Sequence, residues 1–485
     1  MKKIYTIVLS SLTLLAGACS DWLDVRPSDT LVQEELFAKG DGYRVALNGV
    51  YRQMSESSLY GQSLTWAYLD IAAQIYSVWD FGYGTTERKF SEYAYTDKDI
   101  EPIIDRIWSG CYNSIANCNN ILANIDAEPA SKFRGGEEEK QLIKGEALAL
   151  RAFLHLDILR LFAPAPVNDD GKDYVPYVNT YPCTFKESVP NKEVLALVIA
   201  DLQAAKDLVR PFDTDDEHLA WMTTNARIEN FAGLGTGNPP SDIFFTYRGY
   251  RMNYYAICAT LARAYNYAGH YDAGNYKKAF DETQPVIDGN YEGNPYFAFS
   301  TQGVSSGNMK LYNDLIFCLS NQETLNFYAT ANSGNSKFYV DGVDMLYDDV
   351  SDIRLSGLLE PANYFYYESL KYSDKCNTYC ADMIPMLRLS EMYYIRAEYY
   401  NSIGESLLAA GELDKVREGR NCSIGKYPPL IEANPSGWFK DELLDEAHRE
   451  FIGEGQLFFY YKRLGMVPVS GANLVFPLPD SESGI

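Results

Sequence analysis

Histidine, basic charge and the local signatures of common enzymes are scarce in this chain, and each scarcity removes a class of function. Only four histidines occur in 485 residues. His155, His218, His270 and His448 are nowhere paired at ligand spacing, which argues against a transition-metal centre. No nucleophile elbow, phosphate-cradling lysine loop or zinc-binding helix is present. Gly233, Gly235 and Gly237 alternate, but no strand run leads into them and two prolines follow, so they read as a loop. Lysine and arginine number 42 against 66 acidic residues, a formal charge of −24, which excludes nucleic acid and anionic membrane surfaces as natural partners. Beyond the first eighteen residues no apolar run approaches the roughly 20 residues of a bilayer span. Cysteine is modest at nine. Most cysteines sit in apolar helical patterns and read as small buried residues. Cys376 and Cys380 lie in the polar stretch 374–382, where either a small-loop disulfide or two free thiols fits an extracytoplasmic setting.

The N-terminus carries a positive signature. Lys2 and Lys3 precede a mostly apolar run over 4–15, and Ala16, Gly17 and Ala18 lead into Cys19. This is the layout of a secretory signal over 1–18, too short for a transmembrane helix. A cysteine at the cut site resembles the lipobox of bacterial lipoproteins, in which the signal is removed before the Cys and the Cys is acylated. Several acyl chains on Cys19 would hold the protein stably on a membrane, where one would not. Plain secretion is the alternative.

Residues 19–485 are long enough for two or three average domains or one large repeat architecture, and at 46% hydrophobic content they can bury a substantial core. Helical spacing of apolar residues marks 104–125, 140–162, 192–209, 251–268, 275–287, 386–402, 406–418 and 442–464. Between these run long segments rich in Gly, Pro, Asn and Tyr, notably 60–100, 164–190, 211–250, 288–340 and 420–440. Strand-like runs are short, at 315–318 and 337–340. Leu261, Ala262 and Tyr265 fit the first helix of a tetratricopeptide unit, in which a small residue lets the partner helix approach. Ala397 and Tyr400, followed by Ala409 and Leu413, fit a second unit, and Ala152 with His155 suggests a third, paired with 192–209. The expected fold is mainly α: a degenerate tetratricopeptide-repeat helical scaffold with long irregular loop insertions. An unrelated helical bundle with alanines at its crossings is the alternative. Glu391, Arg396 and Glu398 are spaced for an inter-helix ion-pair network rather than for catalysis.

Several segments together resemble the SusD/RagB family of outer-membrane nutrient-binding lipoproteins of Bacteroidetes. The run Cys19-Ser20-Asp21-Trp22-Leu23-Asp24-Val25-Arg26-Pro27 is similar to the family's mature N-terminus, acidic residues after the Cys included. Ala46-Leu47-Asn48-Gly49-Val50-Tyr51 matches its first helix, and 146–153 through Pro164-Ala165-Pro166 matches its arginine-alanine helix and proline turn. The stretch 388–398 with Val416-Arg417 resembles the late repeat helix. Arg449-Glu450-Phe451, Glu454-Gly455 and Lys462-Arg463-Leu464-Gly465 resemble the C-terminal element. Departures occur at Ala447-His448-Arg449, where the family usually has Glu-Arg-Arg, and at Gly455-Gln456-Leu457, where it has Gly-Xaa-Arg. The resemblance implies one SusD-like domain over 19–485, with an N-terminal half at 19–250 and a C-terminal half at 251–485.

The resemblance also implies a function: capture of an oligosaccharide at the cell exterior and its delivery to a SusC-like TonB-dependent outer-membrane transporter, with no catalysis. Peptide capture, as in the RagB branch, is the alternative within the family. A surface glycoside hydrolase is the alternative outside it, because the paired carboxylates such an enzyme needs cannot be located from sequence. The aromatic supply, 39 Tyr among it, suits sugar faces. Trp79, Phe81 and Tyr83 alternate with Asp80, Gly82 and Gly84, with Arg88 close behind, and are expected to form a rigid aromatic shelf. Trp79 as a pin holding the loop to the scaffold is the competing reading. A second aromatic-polar loop runs from Asn294 through Tyr296, Phe297 and Phe299 to Asn308 and Tyr312, at an excursion the family uses for ligand, so Tyr296, Asn308 and Tyr312 are candidates there. Tyr364-Phe365-Tyr366-Tyr367 is a third possibility. No cofactor is expected; Asp169-Asp170-Gly171-Lys172-Asp173 reads as a calcium loop or as a solvated turn.

Overall fold

The computed structural model describes residues 35–229, 240–300, 307–480 and 482. The signal segment 1–18, Cys19 and the glycine run at 233–237 lie outside the described residues. The principal helices are α1 (Gly40–Met54), α2 (Glu101–Ile125), α3 (Gly136–Phe162), α4 (Asn191–Asp213), α5 (Tyr254–Ala268), α6 (Gly274–Asp288), α7 (Leu389–Ser402), α8 (Ser406–Gly419), α9 (Trp438–Phe451) and α10 (Gln456–Leu464).

Three helix pairs form the scaffold: α3 with α4, α5 with α6, and α7 with α8. They stack in series, α4 on α5 and α6 on α7. Ala262 on α5 and Ala397 on α7 are fully buried, as are Ala279, Ala409 and Leu413, so the small residues sit where one helix meets the next. Asn253 caps α5 by accepting the amide of Ala256 at 2.9 Å. Glu137, Glu138 and Glu139 lie in the first turn of α3, where the helix dipole favours acid. The third unit contains the long interruption expected of it. His155 ties that interruption to α3: the Val178 amide donates to Nε2 at 2.9 Å, which leaves Nδ1 to donate to the Arg151 carbonyl at 2.9 Å. Burial lowers the His155 pKa to about 3, so the imidazole stays neutral.

Ion pairs set the register between units. Glu391 takes both arms of Arg263 on α5 at 2.7 Å, Arg396 reaches Glu412 at 3.3 Å, and Glu398 holds Arg463. A larger buried network joins the C-terminal helices to the loops above them. Arg420 bridges Asp314 and Glu450, and Arg388 reaches Asp314 at 2.8 Å and Glu454. Arg354 contacts Asp352 at 2.7 Å, Glu446 at 3.0 Å and Glu450 at 3.2 Å. The C-terminal motif residues Glu450 and Glu454 therefore act as buried counter-ions.

Two expected elements differ: residues 386–388, expected to open a helix, end the strand Met383–Arg388, and the helix starts at Leu389. The single helix over 442–464 is two, α9 and α10, broken at 452–455. Gly453 and Gly455 take positive φ of 82° and 70°, and their amides donate to the buried carboxylate of Asp70 at 2.7 and 2.9 Å. A Cβ at Gly455 would stand 2.3 Å from the Leu64 carbonyl oxygen, so only glycine fits. The periodicity continues across the break because both helices bury an apolar face against the same core.

Strands are few and short. β1 (Leu315–Ser320) pairs antiparallel with β2 (Met383–Arg388). A three-stranded sheet has the order Tyr339–Val340, Tyr367–Ser369, Leu359–Pro361. Tyr76 adds an isolated bridge to Val340 and so brings the 60–100 excursion to this sheet. One buried apolar cluster extends from Phe37 to Phe476.

Candidate functional site

The Trp79 loop is built by local hydrogen bonds and then docked on the small sheet. Val78–Asp80 form a 3-10 turn, closed by the Ser77 hydroxyl donating to Asp80 at 2.6 Å. The Ser77 amide donates to the Tyr339 carbonyl at 2.8 Å, and the Lys337 amide to the Asp80 carbonyl at 3.0 Å. Thr85 caps the short helix Thr86–Ser91, accepting the Arg88 amide. That helix positions the Arg88 guanidinium, which donates to the Val78 carbonyl at 2.7 Å and to Glu92 at 2.6 Å, with its centre 5.1 Å from the Trp79 ring centroid. Trp79 is 79% exposed and Tyr83 is fully exposed.

Phe81 corrects the expected shelf. In an extended loop 79, 81 and 83 would share one face, but the 3-10 turn rotates the chain and sends Phe81 inward. It is buried edge-on against Tyr76 and Phe338. The pinning role weighed for Trp79 belongs to Phe81.

The sheet supplies aromatic rings that sequence reasoning placed elsewhere or missed. Tyr339 and Tyr366 stack with centroids 5.7 Å apart and planes 14° from parallel. Tyr339 pairs with Glu368 across the sheet, so Tyr339, Tyr366 and Glu368 share a face. Burial, Glu368 and Asp80 all raise the Tyr339 pKa, which keeps its phenol protonated and able to donate. Tyr364 and Phe365 stand exposed at the hairpin tip. The Tyr364–Tyr367 run was legible as aromatic; the alternation Phe338-in, Tyr339-out was the signal for Tyr339. Its place next to the Trp79 loop, made by the Ser77 amide bonding the Tyr339 carbonyl from far along the chain, was not.

The second expected loop turns inward. Tyr296 is 1% exposed, packed edge-on against Tyr255. Phe297 lies under the Arg227 guanidinium, 4.7 Å from its centre, and Arg227 donates to the carbonyls of Tyr296, Asn313 and Leu315. Asn308 is buried, bonding the Asn313 side chain at 2.8 Å and accepting the Tyr312 amide at 3.0 Å. The Tyr312 hydroxyl donates to Glu229 at 2.9 Å. Tyr296, Phe297 and Asn308 are therefore packed into the core beside α5, while Tyr312 is half-buried. At 169–173 Asp170 holds Lys172 at 2.7 Å, while Asp169 accepts from Gly171 and Tyr271, as in a hydrogen-bonded turn. Among the described residues no group of three or more His, Cys, Asp or Glu is arranged to hold a metal ion.

Two clefts lie apart from the aromatic face. One, of about 400 Å³, is lined by Arg44, Tyr51, Phe244, Tyr247 and Arg251. Its Arg44 is already held by Glu139 and Asp242. The other, of about 440 Å³, lies between Trp108, Tyr112 and Phe185.

A family model described as starch-binding associating with the outer membrane matches residues 21–225, and the SusD family model matches 251–467. The chain belongs to the SusD/RagB family. A SusD-like relative, SusD-like protein P2 of Formosa agariphila, is 28% identical over 207 residues, which is 43% of this chain and 38% of that protein. This SusD-family chain thus matches well under half the length of that curated relative. Among solved structures, a putative sugar binding protein from Bacteroides vulgatus is 21% identical with a TM-score of 0.64, covering 90% of each chain. A SusD superfamily protein from Bacteroides thetaiotaomicron is 22% identical with a TM-score of 0.63, covering 88% of this chain and 89% of its own. A SusD-like carbohydrate binding protein from Bacteroides vulgatus is 18% identical with a TM-score of 0.61, covering 88% and 84%. At these identities the structural likeness is one of SusD fold alone.

Proposed function

We propose that this SusD-family protein captures an oligosaccharide on the aromatic surface formed by Trp79, Tyr83, Tyr339 and Tyr366. The carrying observation is the exposure of Trp79 and Tyr83 on a loop whose backbone bonds the strand of Tyr339, the ring stacked on Tyr366, with Asp80 and Arg88 on the loop and Glu368 across from Tyr339. Sugar rings offer C–H faces to such rings and hydroxyls to the charged groups. The description of two structural relatives as sugar or carbohydrate binding supports this reading. The captured chain passes to a SusC-like TonB-dependent transporter, and acylated Cys19, exposed when the signal 1–18 is removed, holds the 19–485 domain on the exterior of the outer membrane. The protein binds and does not cleave.

A glycan array probed with residues 19–485, followed by calorimetric titration of any hit, tests the proposal. Binding with unchanged sugar supports it. Shortened products would turn the reading toward a glycoside hydrolase. Peptide binding without a glycan hit would turn it toward RagB-like uptake.

A further inference from the structure

The cleft between α1 and the loop 243–251 gathers guanidiniums in a chain whose formal charge is −24. Arg44, Asn48 and Arg52 recur every four residues and so share one face of α1. Arg251 meets that face from the loop, its Nη1 donating to the Asn48 side-chain oxygen at 2.8 Å. All four line the cavity of about 400 Å³, which falls within the roughly 300–1,000 Å³ of small-molecule sites.

The three guanidiniums are not equally committed. Arg44 spends four hydrogen bonds on Glu139 and Asp242. Arg251 makes one, to Asn48; its carboxylate neighbour Glu146 stands 3.5 Å away, longer than an N–H···O bond, and is already taken by Arg248 and Tyr51. The Arg52 side chain is 85% exposed and 3.9 Å from Glu56, an exposed pair that contributes little. Arg251 and Arg52 therefore keep donors for an anion, and exposed Asn48, which accepts from Arg251, keeps its amide N–H groups. Arg44 and Arg251 lie over Phe244 at 4.7 and 5.0 Å, and Arg251 over Tyr51 at 5.2 Å, so charge covers those rings. Tyr247 stays 36% exposed, edge-on to Tyr250. Its φ of 51° and ψ of 43° lie in the left-handed region, a cost for a bulky side chain and of the kind found at ligand sites.

We propose that this cleft is a second glycan site, one that takes a hexuronate: Arg251 and Arg52 hold its carboxylate, Tyr247 meets the ring face, and Asn48 donates to a hydroxyl. The planar guanidinium fork matches a carboxylate with two parallel hydrogen bonds, which a neutral sugar cannot accept. A purely apolar ligand would find charge over Phe244 and Tyr51, and a bare anion would leave Tyr247 unused. A sugar acid carries the anion, the C–H face and the hydroxyls together. The inference rests on the proposed capture of oligosaccharide for its ligand being a sugar; the cleft, its charge and its residues are separate from the Trp79 surface.

The test is calorimetric titration of residues 19–485 with oligogalacturonate, oligoglucuronate, their carboxyl-reduced neutral counterparts and sodium sulfate. At least one acid is expected to bind, and its reduced counterpart about tenfold or more weakly, since the charge-assisted bonds are lost. Arg52→Gln is expected to weaken the acid several-fold with the Tm retained, because the side chain is exposed. Tyr247→Gly should do the same, since glycine is unstrained at that φ. Equal binding of acid and reduced sugar, or wild-type affinity in both variants, would overturn the proposal. Weakening by Trp79→Ala but not by Arg52→Gln would place the acid on the aromatic surface and overturn the cleft. Sulfate that displaces the acid at the acid's own concentration would overturn the assignment to a sugar. A neutral hit on the glycan array with neither acid bound overturns the cleft alone, whereas no glycan bound at all overturns both readings.

Discussion

The paired substitutions Trp79→Ala and Phe81→Ala separate ligand contact from loop anchoring within three residues. Trp79 is 79% exposed and, among the described residues, its one ring contact is the Arg88 guanidinium at 5.1 Å. An exposed cation–π contact of this kind contributes about 0.5–1 kcal/mol. Unfolding entropy near 2.1 cal/mol/K per residue gives a chain of this size a Tm shift of roughly 1 °C per kcal/mol. Trp79→Ala is therefore expected to move the melting curve by about 1 °C or less while costing more than about 1 kcal/mol in sugar binding, a several-fold loss of affinity. Phe81 is 3% exposed among Tyr76 and Phe338, and its truncation leaves a cavity costing about 3–5 kcal/mol, or roughly 3–5 °C. Phe81→Ala reaches the ligand only through the loop. Isothermal titration with the glycan found on the array, beside differential scanning calorimetry of each variant, gives both numbers. A Trp79→Ala protein that melts several degrees early yet binds normally would refute the assignment.

Four further predictions address the scaffold and the anchor. Arg420→Ala leaves Asp314 and Glu450 buried without their shared cation and is expected to cost about 3–5 kcal/mol in denaturant titration. In the wild type, burial pushes the Glu446 pKa up but Arg449, Arg354 and Arg417 outweigh it and hold the carboxylate at about 2, below its ordinary 4.5. The stability this contributes is present above pH 4.5 and lost as pH falls toward 2, so Glu446→Gln should flatten the acid limb of a Tm–pH profile; an unchanged limb counts against the network. Gly455→Ala is expected to destabilise strongly, with φ of 70° and Leu64 in the way, whereas Gly411→Ala on α8 meets open space and should gain about 0.5–1 kcal/mol by thermal melting. Cys19→Ala is expected to abolish fatty-acid labelling and surface retention without lowering the Tm; equal labelling of both proteins would remove the anchor.

Helical pattern was legible because burial on one side of a helix imposes its own period on the chain. The pairs α5–α6 and α7–α8 follow from Ala262 and Ala397, since a helix crossing close to another leaves room only for a small side chain. The family motifs were visible for the same local reason, and the ion pairs at Glu391 and Glu398 could be expected from spacing on one helix. The break between α9 and α10 was not legible: it depends on Asp70, nearly 400 residues earlier, accepting the Gly453 and Gly455 amides. The fate of the aromatic loops is decided at the same level. Composition marked Trp79, Phe81 and Tyr83 alike, and Tyr296 with them, but whether a ring faces solvent or core depends on what lies above it. A 3-10 turn and Phe338 drew Phe81 inward, Tyr255 covered Tyr296, and a strand from residues 339–340 brought Tyr339 to the loop that carries Trp79. The sequence by itself determined the helices and their small-residue crossings, because those follow from neighbours in the chain. Tertiary structure alone decided which aromatic rings remain free for a ligand, because burial is settled by partners that the chain brings together from a distance.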